Sequence, residues 1–157
     1  MPATLRWILA ACLTLPLALS QIQAQAQAQE TLNGWTLQDA AKVPATPEQI
    51  STPTFHPTGW FRATVPGTVL TTLVDNKVYP EPLYGENNRP DKIPDSLSRT
   101  PFWYRTVLTV PKAYAGRHIW LNFEGINYAS EIWLNGQQIG TTRGAFIRGT
   151  FDISANV

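Results

Sequence analysis

Two short stretches of this chain alternate apolar and polar residues strictly, and that period restricts the fold more than any other feature. In His118-Ile-Trp-Leu-Asn-Phe-Glu124, Ile119, Leu121 and Phe123 fall on one side of an extended backbone, with Trp120, Asn122 and Glu124 on the other. Ser130-Glu-Ile-Trp-Leu-Asn-Gly136 repeats the pattern, Ile132 and Leu134 opposing Glu131 and Trp133. A period of two fits a half-buried strand and no helix. Asn135-Gly136 ends the second stretch, and both residue types tolerate the positive φ of a type I′ hairpin turn. The chain is therefore expected to return through Gln138-Ile139-Gly140 and reach another strand at Thr150-Phe-Asp-Ile153. Phe102–Val110, rich in aromatic and β-branched residues and fenced by Pro101 and Pro111, reads as a further strand. Strands at this spacing predict an all-β antiparallel sandwich.

Composition narrows the function classes. Charged residues make up 15% of the 157 and aromatic residues 11%, which is the balance of a globular chain. The formal net charge of +1, with no basic stripe, lacks the electrostatic footprint of a nucleic-acid binder. Cys12 is the only cysteine, which excludes a disulfide framework and a thiolate zinc site.

The middle of the chain differs from the strands around it. Between Tyr79 and Pro101 lie Pro80, Pro82, Pro90 and Pro94 among Asn, Asp and Glu residues, so a long, polar, semi-rigid loop is expected. Just upstream, Gly67–Asp75 fits a short strand or a helical turn. Leu70, Leu73 and Val74 share one helical face, which favours the helix.

The N-terminus reads as an address. Arg6 precedes a nearly unbroken apolar run, Trp7 to Leu19, which is too short for a bilayer span of about 20 residues but fits the centre of a secretory signal. Ala24-Gln25-Ala26 offers a small-x-small cleavage site, so residues 1–26 are expected to be removed, with Ala24 as the alternative end. Residues 27–31 then form a low-complexity tail and 32–157 the domain. Leu9-Ala-Ala-Cys12 has the outline of a lipoprotein box. The apolar run before Cys12 is barely a turn long and continues past it, which disfavours lipidation. The destination is a bacterial-type periplasm or the exterior.

Local catalytic machinery is not expected. His56 and His118 are far apart with no ligand spacing around them, and no nucleophile elbow, P-loop or dinucleotide fingerprint occurs. Glu124 and Glu131 lie on neighbouring candidate strands. Glycosidase chemistry needs a carboxyl pair about 5–9.5 Å apart, and nothing in the sequence sets that distance, so a solvated strand face explains both. Trp120 and Trp133 are different. Each faces away from its strand's aliphatic stripe, so each asks for a partner, either a stacked sugar or another domain.

A resemblance joins these pieces. Gly59-Trp60 with Val65-Pro-Gly-Thr-Val-Leu70 resembles the "GW…VPGTV" opening of the N-terminal sugar-binding domain of glycoside hydrolase family 2. Tyr79-Pro-Glu-Pro-Leu-Tyr-Gly-Glu-Asn-Asn88 is similar to the "PDPFY…NE" loop of its β-mannosidase branch, with Glu81, Leu83 and Asn88 where Asp, Phe and Glu are more usual. Phe102-Trp-Tyr-Arg105, Asn122-Phe-Glu-Gly-Ile-Asn-Tyr128, Ile132-Trp-Leu-Asn-Gly136 and Phe151-Asp-Ile153 match further segments in the family's order. The likeness spans Trp35 to Val157 and is best to β-mannosidases, plant-type endo-β-mannosidases and exo-β-glucosaminidases.

The resemblance implies a galactose-binding-like jelly roll at the front of a much longer retaining glycosidase. The two catalytic Glu residues of such an enzyme sit on a downstream barrel, so none maps onto this chain, and neither a metal nor a cofactor is implied. Expected partners are a carbohydrate of the β-mannoside or β-glucosaminide type and downstream immunoglobulin-like and barrel domains. The 79–101 loop is the candidate contact with the active-site mouth. Asn87 and Asn88 would offer amide groups to sugar hydroxyls there, and Arg89 charge-assisted bonds of about 1.5–3 kcal/mol. The alternative is that these residues only cap and solvate the loop. A free-standing carbohydrate-binding module and a protein-interaction domain are the other functional readings.

The family's sandwich continues beyond "D-I-T" with an "L-x-V-x-V" strand, whereas this sequence stops at Val157. A jelly roll lacking its last strand is therefore expected. Burial of three inward residues would be worth about 5–9 kcal/mol, against a domain stability of about 5–15 kcal/mol. Such a chain is expected to be marginal, with an open edge prone to pairing.

Overall fold

A computed structural model describes residues 28–157, and the folded unit is Thr31–Val157. The residues read as an export signal, Cys12 among them, lie outside the described residues. Among the described residues no helix is long and apolar enough to cross a membrane.

The fold is all-β with short helical turns, and every strand pairing is antiparallel. Strand β1 (Thr36–Asp39) lies between β2 (Phe61–Arg62) and β3 (Phe102–Arg105). Leu37 at its centre is fully buried, opposite Phe61 on one side and Tyr104 on the other. Burial pushes the Tyr104 phenol pKa up, with a bond to the Thr72 hydroxyl opposing the shift. Helix α1 (Pro47–Ile50) starts with a capping box, in which the Gln49 N–H donates to the Thr46 hydroxyl and the Thr46 N–H to the Gln49 side chain. Its last residue, Ile50, is buried.

The helix expected within Gly67–Asp75 is α2 (Val69–Asp75), capped by the Thr68 hydroxyl, which accepts from the Thr71 N–H at 3.0 Å. Leu73 is buried as the helical face requires. Beside it Thr72 is fully buried and its hydroxyl accepts the Thr64 N–H at 3.0 Å, so a polar residue helps hold α2 to β2.

The strand expected over Phe102–Val110 stops at Arg105. Thr36, the first residue of β1, pairs with Arg105. Beyond that rung the Thr106 hydroxyl donates to the Asn33 carbonyl at 2.7 Å, but among the described residues no strand pairs with 106–110. Leu108 and Val110 still face inward while Val107 and Thr109 face water.

The remaining strands are β4 (Trp120–Ile126), β5 (Ala129–Leu134), β6 (Gln137–Arg143) and β7 (Ile147–Asp152). Pairings β4–β7 and β5–β6 form two separate two-stranded sheets. Their registers nevertheless run on from one another: Leu134 faces Gln137, Ala129 faces Arg143, Ile126 faces Ile147 and Trp120 faces Asp152. The segment from Trp120 to Asp152 is thus one long hairpin, bent where Asn127–Tyr128 meets Gly144–Phe146. At the bend the Gly144 N–H donates to the Tyr128 carbonyl at 2.8 Å.

The hairpin tip is the expected Asn135-Gly136 turn, with φ of +49° and +84°. The ribbon closes on itself. Asn135 Nδ2 donates to the Asn156 carbonyl at 2.7 Å and Asn156 Nδ2 to Gln137 Oε1 at 3.1 Å, which sets the tip beside the residues that follow β7. Inside the fold, Phe151 of β7 lies against Gly140 of β6, where a Cβ would stand 2.1 Å from the ring, and meets Phe123 edge-on at 6.2 Å. Ile132 and Ile153 complete this half of the core.

Candidate functional site

The Pro-rich loop is anchored to α2. Asn76 Nδ2 donates to the carbonyls of Arg62 and Thr72, and the Val78 N–H donates to the Leu73 carbonyl at 2.8 Å. From there the prolines prevent a continuous element, and the backbone makes successive turns: Tyr84 N–H to Glu81, Asn87 N–H to Tyr84, Arg89 N–H to Glu86, Ile93 N–H to Arg89. A short 3-10 turn, Asp95–Arg99, leads into β3.

Within this loop the three expected site residues differ. Asn87 is half-buried and its amide Nδ2 donates to the Glu81 carbonyl at 3.0 Å, so it staples the loop. Asn88 is exposed. Arg89 is exposed and ion-paired with Glu86. Two neighbours that were not among the expected contact residues project further: Leu83 is 87% exposed and Tyr84 72%. Proximity to Pro82 and Gly85 was the signal, since such a turn has no core to offer its apolar side chains.

The tryptophans come from the two halves of the bent ribbon. Trp120 opens β4 opposite Asp152 and is 50% exposed, as its outward position predicts. Trp133 is half-buried on β5 and its Nε1 donates to Glu131 at 3.3 Å. A bulge between Ile132 and Trp133 alters the strict alternation there.

Shallow clefts lie on both sides of β2 among the described residues. One of about 230 Å³ runs between β1, α2 and the loop, lined in part by Asp39, Lys42, Phe61, Tyr79 and Ser96. The other, of about 280 Å³, is lined by Asn33, Trp35, Arg62 and Thr64. Asn87, Asn88 and Arg89 line neither.

Several carboxylates make defined side-chain contacts. Glu124 pairs with Arg148 at 2.9 Å across the ribbon, and Glu131 takes the Trp133 N–H; both are exposed. Hydrogen bonds from Ser154, with a lesser contribution from His118 at 3.3 Å, hold the Asp152 pKa below the usual carboxylate range, and the Thr46 hydroxyl does the same for Glu48. A general acid needs a shift in the opposite direction. Among the described residues no group of three or more His, Cys, Asp and Glu is placed to hold a metal.

Residues 35–157 match the family described as glycosyl hydrolase 2 galactose-binding domain-like. The chain belongs to that family. This galactose-binding-like domain is 36% identical over 128 residues to a mannosylglycoprotein endo-β-mannosidase of Lilium longiflorum, covering 78% of this chain and 13% of that protein. It is 33% identical over 129 residues to an exo-β-D-glucosaminidase of Streptomyces avermitilis, covering 80% of this chain and 14% of the relative. The crystal structure of the exo-chitosanase of Amycolatopsis orientalis superposes on it with a TM-score of 0.70 at 30% identity, over 80% of this chain and 15% of that one. The chain thus spans about a seventh of the length of these relatives.

Proposed function

We propose that this chain is the sugar-binding front domain of an exported retaining glycosidase that cleaves β-mannosides, with catalytic carboxylates supplied from outside these 157 residues. The observation that carries the reading is the family match over residues 35–157 together with 36% identity to an endo-β-mannosidase. In this reading Asn88 and Arg89 reach sugar hydroxyls at the mouth of a downstream barrel, and Asn87 holds their turn in shape. Leu83, Tyr84 and Trp120 pack on neighbouring domains, where burying a large apolar side chain is worth about 1.5–3 kcal/mol each. Trp133 lends its half-buried ring to the same interface or to a sugar. The apolar segment Trp7–Leu19 directs export.

An exo-β-glucosaminidase parent is the second reading, favoured by the Streptomyces relative and the Amycolatopsis structure. The deciding experiment is the intact mass of the natural protein containing these residues, measured beside hydrolysis of chromogenic β-mannoside and β-glucosaminide. A product longer by at least a barrel of about 250 residues, with mannosidase activity, is expected. Preference for the glucosaminide selects the second reading. A secreted product no longer than this chain, inactive on both, replaces the enzyme with a free-standing module.

A further inference from the structure

Asn followed by Gly occurs twice in this chain, at Asn33-Gly34 and Asn135-Gly136. With no Cβ in the way, the glycine nitrogen of such a pair can approach the asparagine side-chain carbonyl carbon, the step that begins spontaneous deamidation. The fold treats the two pairs differently. At the hairpin tip the Gly136 N–H donates to Ser51 Oγ at 3.0 Å and the Asn135 amide to the Asn156 carbonyl at 2.7 Å. A Cβ at Gly136 would lie 3.6 Å from the Glu48 carbonyl oxygen. Nucleophile and electrophile are both held there by residues distant in sequence. Asn33 and Gly34 are exposed, and the folded unit begins only at Thr31. The Gly34 N–H makes no hydrogen bond to the described residues, and nothing beyond its chain neighbours lies within 4 Å of where a Cβ would stand. The Asn33 side-chain amide is tied only locally, to the Thr31 carbonyl at 3.0 Å.

We propose that Asn33 is a modification site of this domain, converting spontaneously to aspartate and isoaspartate, and that the fold shields Asn135 from the same reaction. The Gly34 nitrogen bonds to Asn33 Cγ as the Cγ–Nδ2 bond breaks, and its proton leaves with the amide as ammonia, giving a cyclic succinimide. Water then opens either carbonyl of that ring. Opening at Cγ restores the ordinary backbone with an aspartate side chain. Opening at the α-carbonyl carries the backbone through the side chain and frees the α-carboxylate, at the group that accepts the Thr106 hydroxyl at 2.7 Å before the reaction. Both products set a carboxylate on the cleft lined by Asn33, Trp35, Arg62 and Thr64, in which Arg62 is the one charged residue.

The test is incubation of the full 157-residue chain at mildly alkaline pH, with and without urea. Both Asn-Gly peptides are then followed by proteolysis and mass spectrometry, with enzymatic methylation to identify isoaspartate. Without urea, Asn33 is expected to convert roughly fivefold faster than Asn135 or more, the protection that a net hydrogen bond or two gives the hairpin tip. In urea the two rates should converge, because only the fold separates them. Ser51→Ala frees the Gly136 N–H and should raise the Asn135 rate, whereas Ser51→Thr, which keeps a hydroxyl, should not. Equal conversion of the two asparagines in the folded chain, or none at Asn33, overturns the inference. So does a difference that persists in urea. A folded S51A chain in which Asn135 reacts no faster overturns the shielding by Ser51, and if S51A does not fold, the urea comparison decides.

Discussion

Arg105 shows how one side chain can organise a segment distant in sequence. Its Nε donates to the Ile50 carbonyl and its terminal nitrogen to the Thr52 carbonyl, both at 3.0 Å, and its guanidinium lies 5.7 Å from the centre of the Phe55 ring. The Ile50 carbonyl ends α1 and the Thr52 carbonyl, which also accepts the Phe55 N–H, lies just beyond it, so a cation from β3 pins the turn that leaves the helix. Arg105→Ala is expected to cost about 1.5–3 kcal/mol, read as a lower urea midpoint. Arg105→Lys should recover only part, because an ammonium cannot reproduce the planar fork that spans both carbonyls. Asp152 gives a pH prediction. Its folded-state pKa is lowered mainly by the Ser154 hydrogen bonds, so its contribution to stability is complete above the ordinary carboxylate value and is lost as pH falls through the folded one. Asp152→Asn should therefore flatten the decline of stability below about pH 4 and leave a smaller difference between pH 3 and pH 7 than wild type shows.

At the scale of elements, the bent ribbon accounts for most of the architecture, and glycine decides where it can fold over. Gly140 leaves the space that the Phe151 ring occupies, and a Cβ at Gly149 would stand 2.9 Å from the same ring. Gly140→Ala forces the ring out of a packed position, which is expected to cost about 1–3 kcal/mol, measurable by thermal unfolding. The same substitution should disturb the edge-on contact between Phe123 and Phe151, visible in the aromatic signals of an NMR spectrum. Edge exposure is the other property of elements. Residues 107–110 extend from β3 without a strand paired to them among the described residues. Their amides are expected to exchange with solvent much faster than those of the β1–β3 ladder in a hydrogen-exchange experiment. Protection equal to that of the ladder would mean that another strand covers this edge, in a second copy or elsewhere.

For the whole molecule, the buried apolar side chains among the described residues are few: Leu37, Ile50, Leu73, Ile132 and Ile153. Most of the aromatic side chains are half-buried or exposed, and the domain presents Leu83, Tyr84, Trp120, Tyr128 and Phe146 to its surroundings. Strand identity at β4 and β5, the Asn135-Gly136 turn, the helical face of α2 and the broken course of the Pro-rich loop were legible in the sequence. Each depends on local geometry: a period of two, a positive φ, a 3.6-residue face, a ring that removes an N–H. The order of motifs carried the family, because shared order reports common ancestry rather than local preference. The end of β3 at Arg105, the joining of four strands into one bent hairpin and the exposure of Phe146 were decided by tertiary structure alone. Those features depend on which distant backbone lies alongside. Thr36 meeting Arg105 as the last rung of the β1–β3 ladder, or Asn135 reaching the Asn156 carbonyl, is a meeting that no short window of sequence contains.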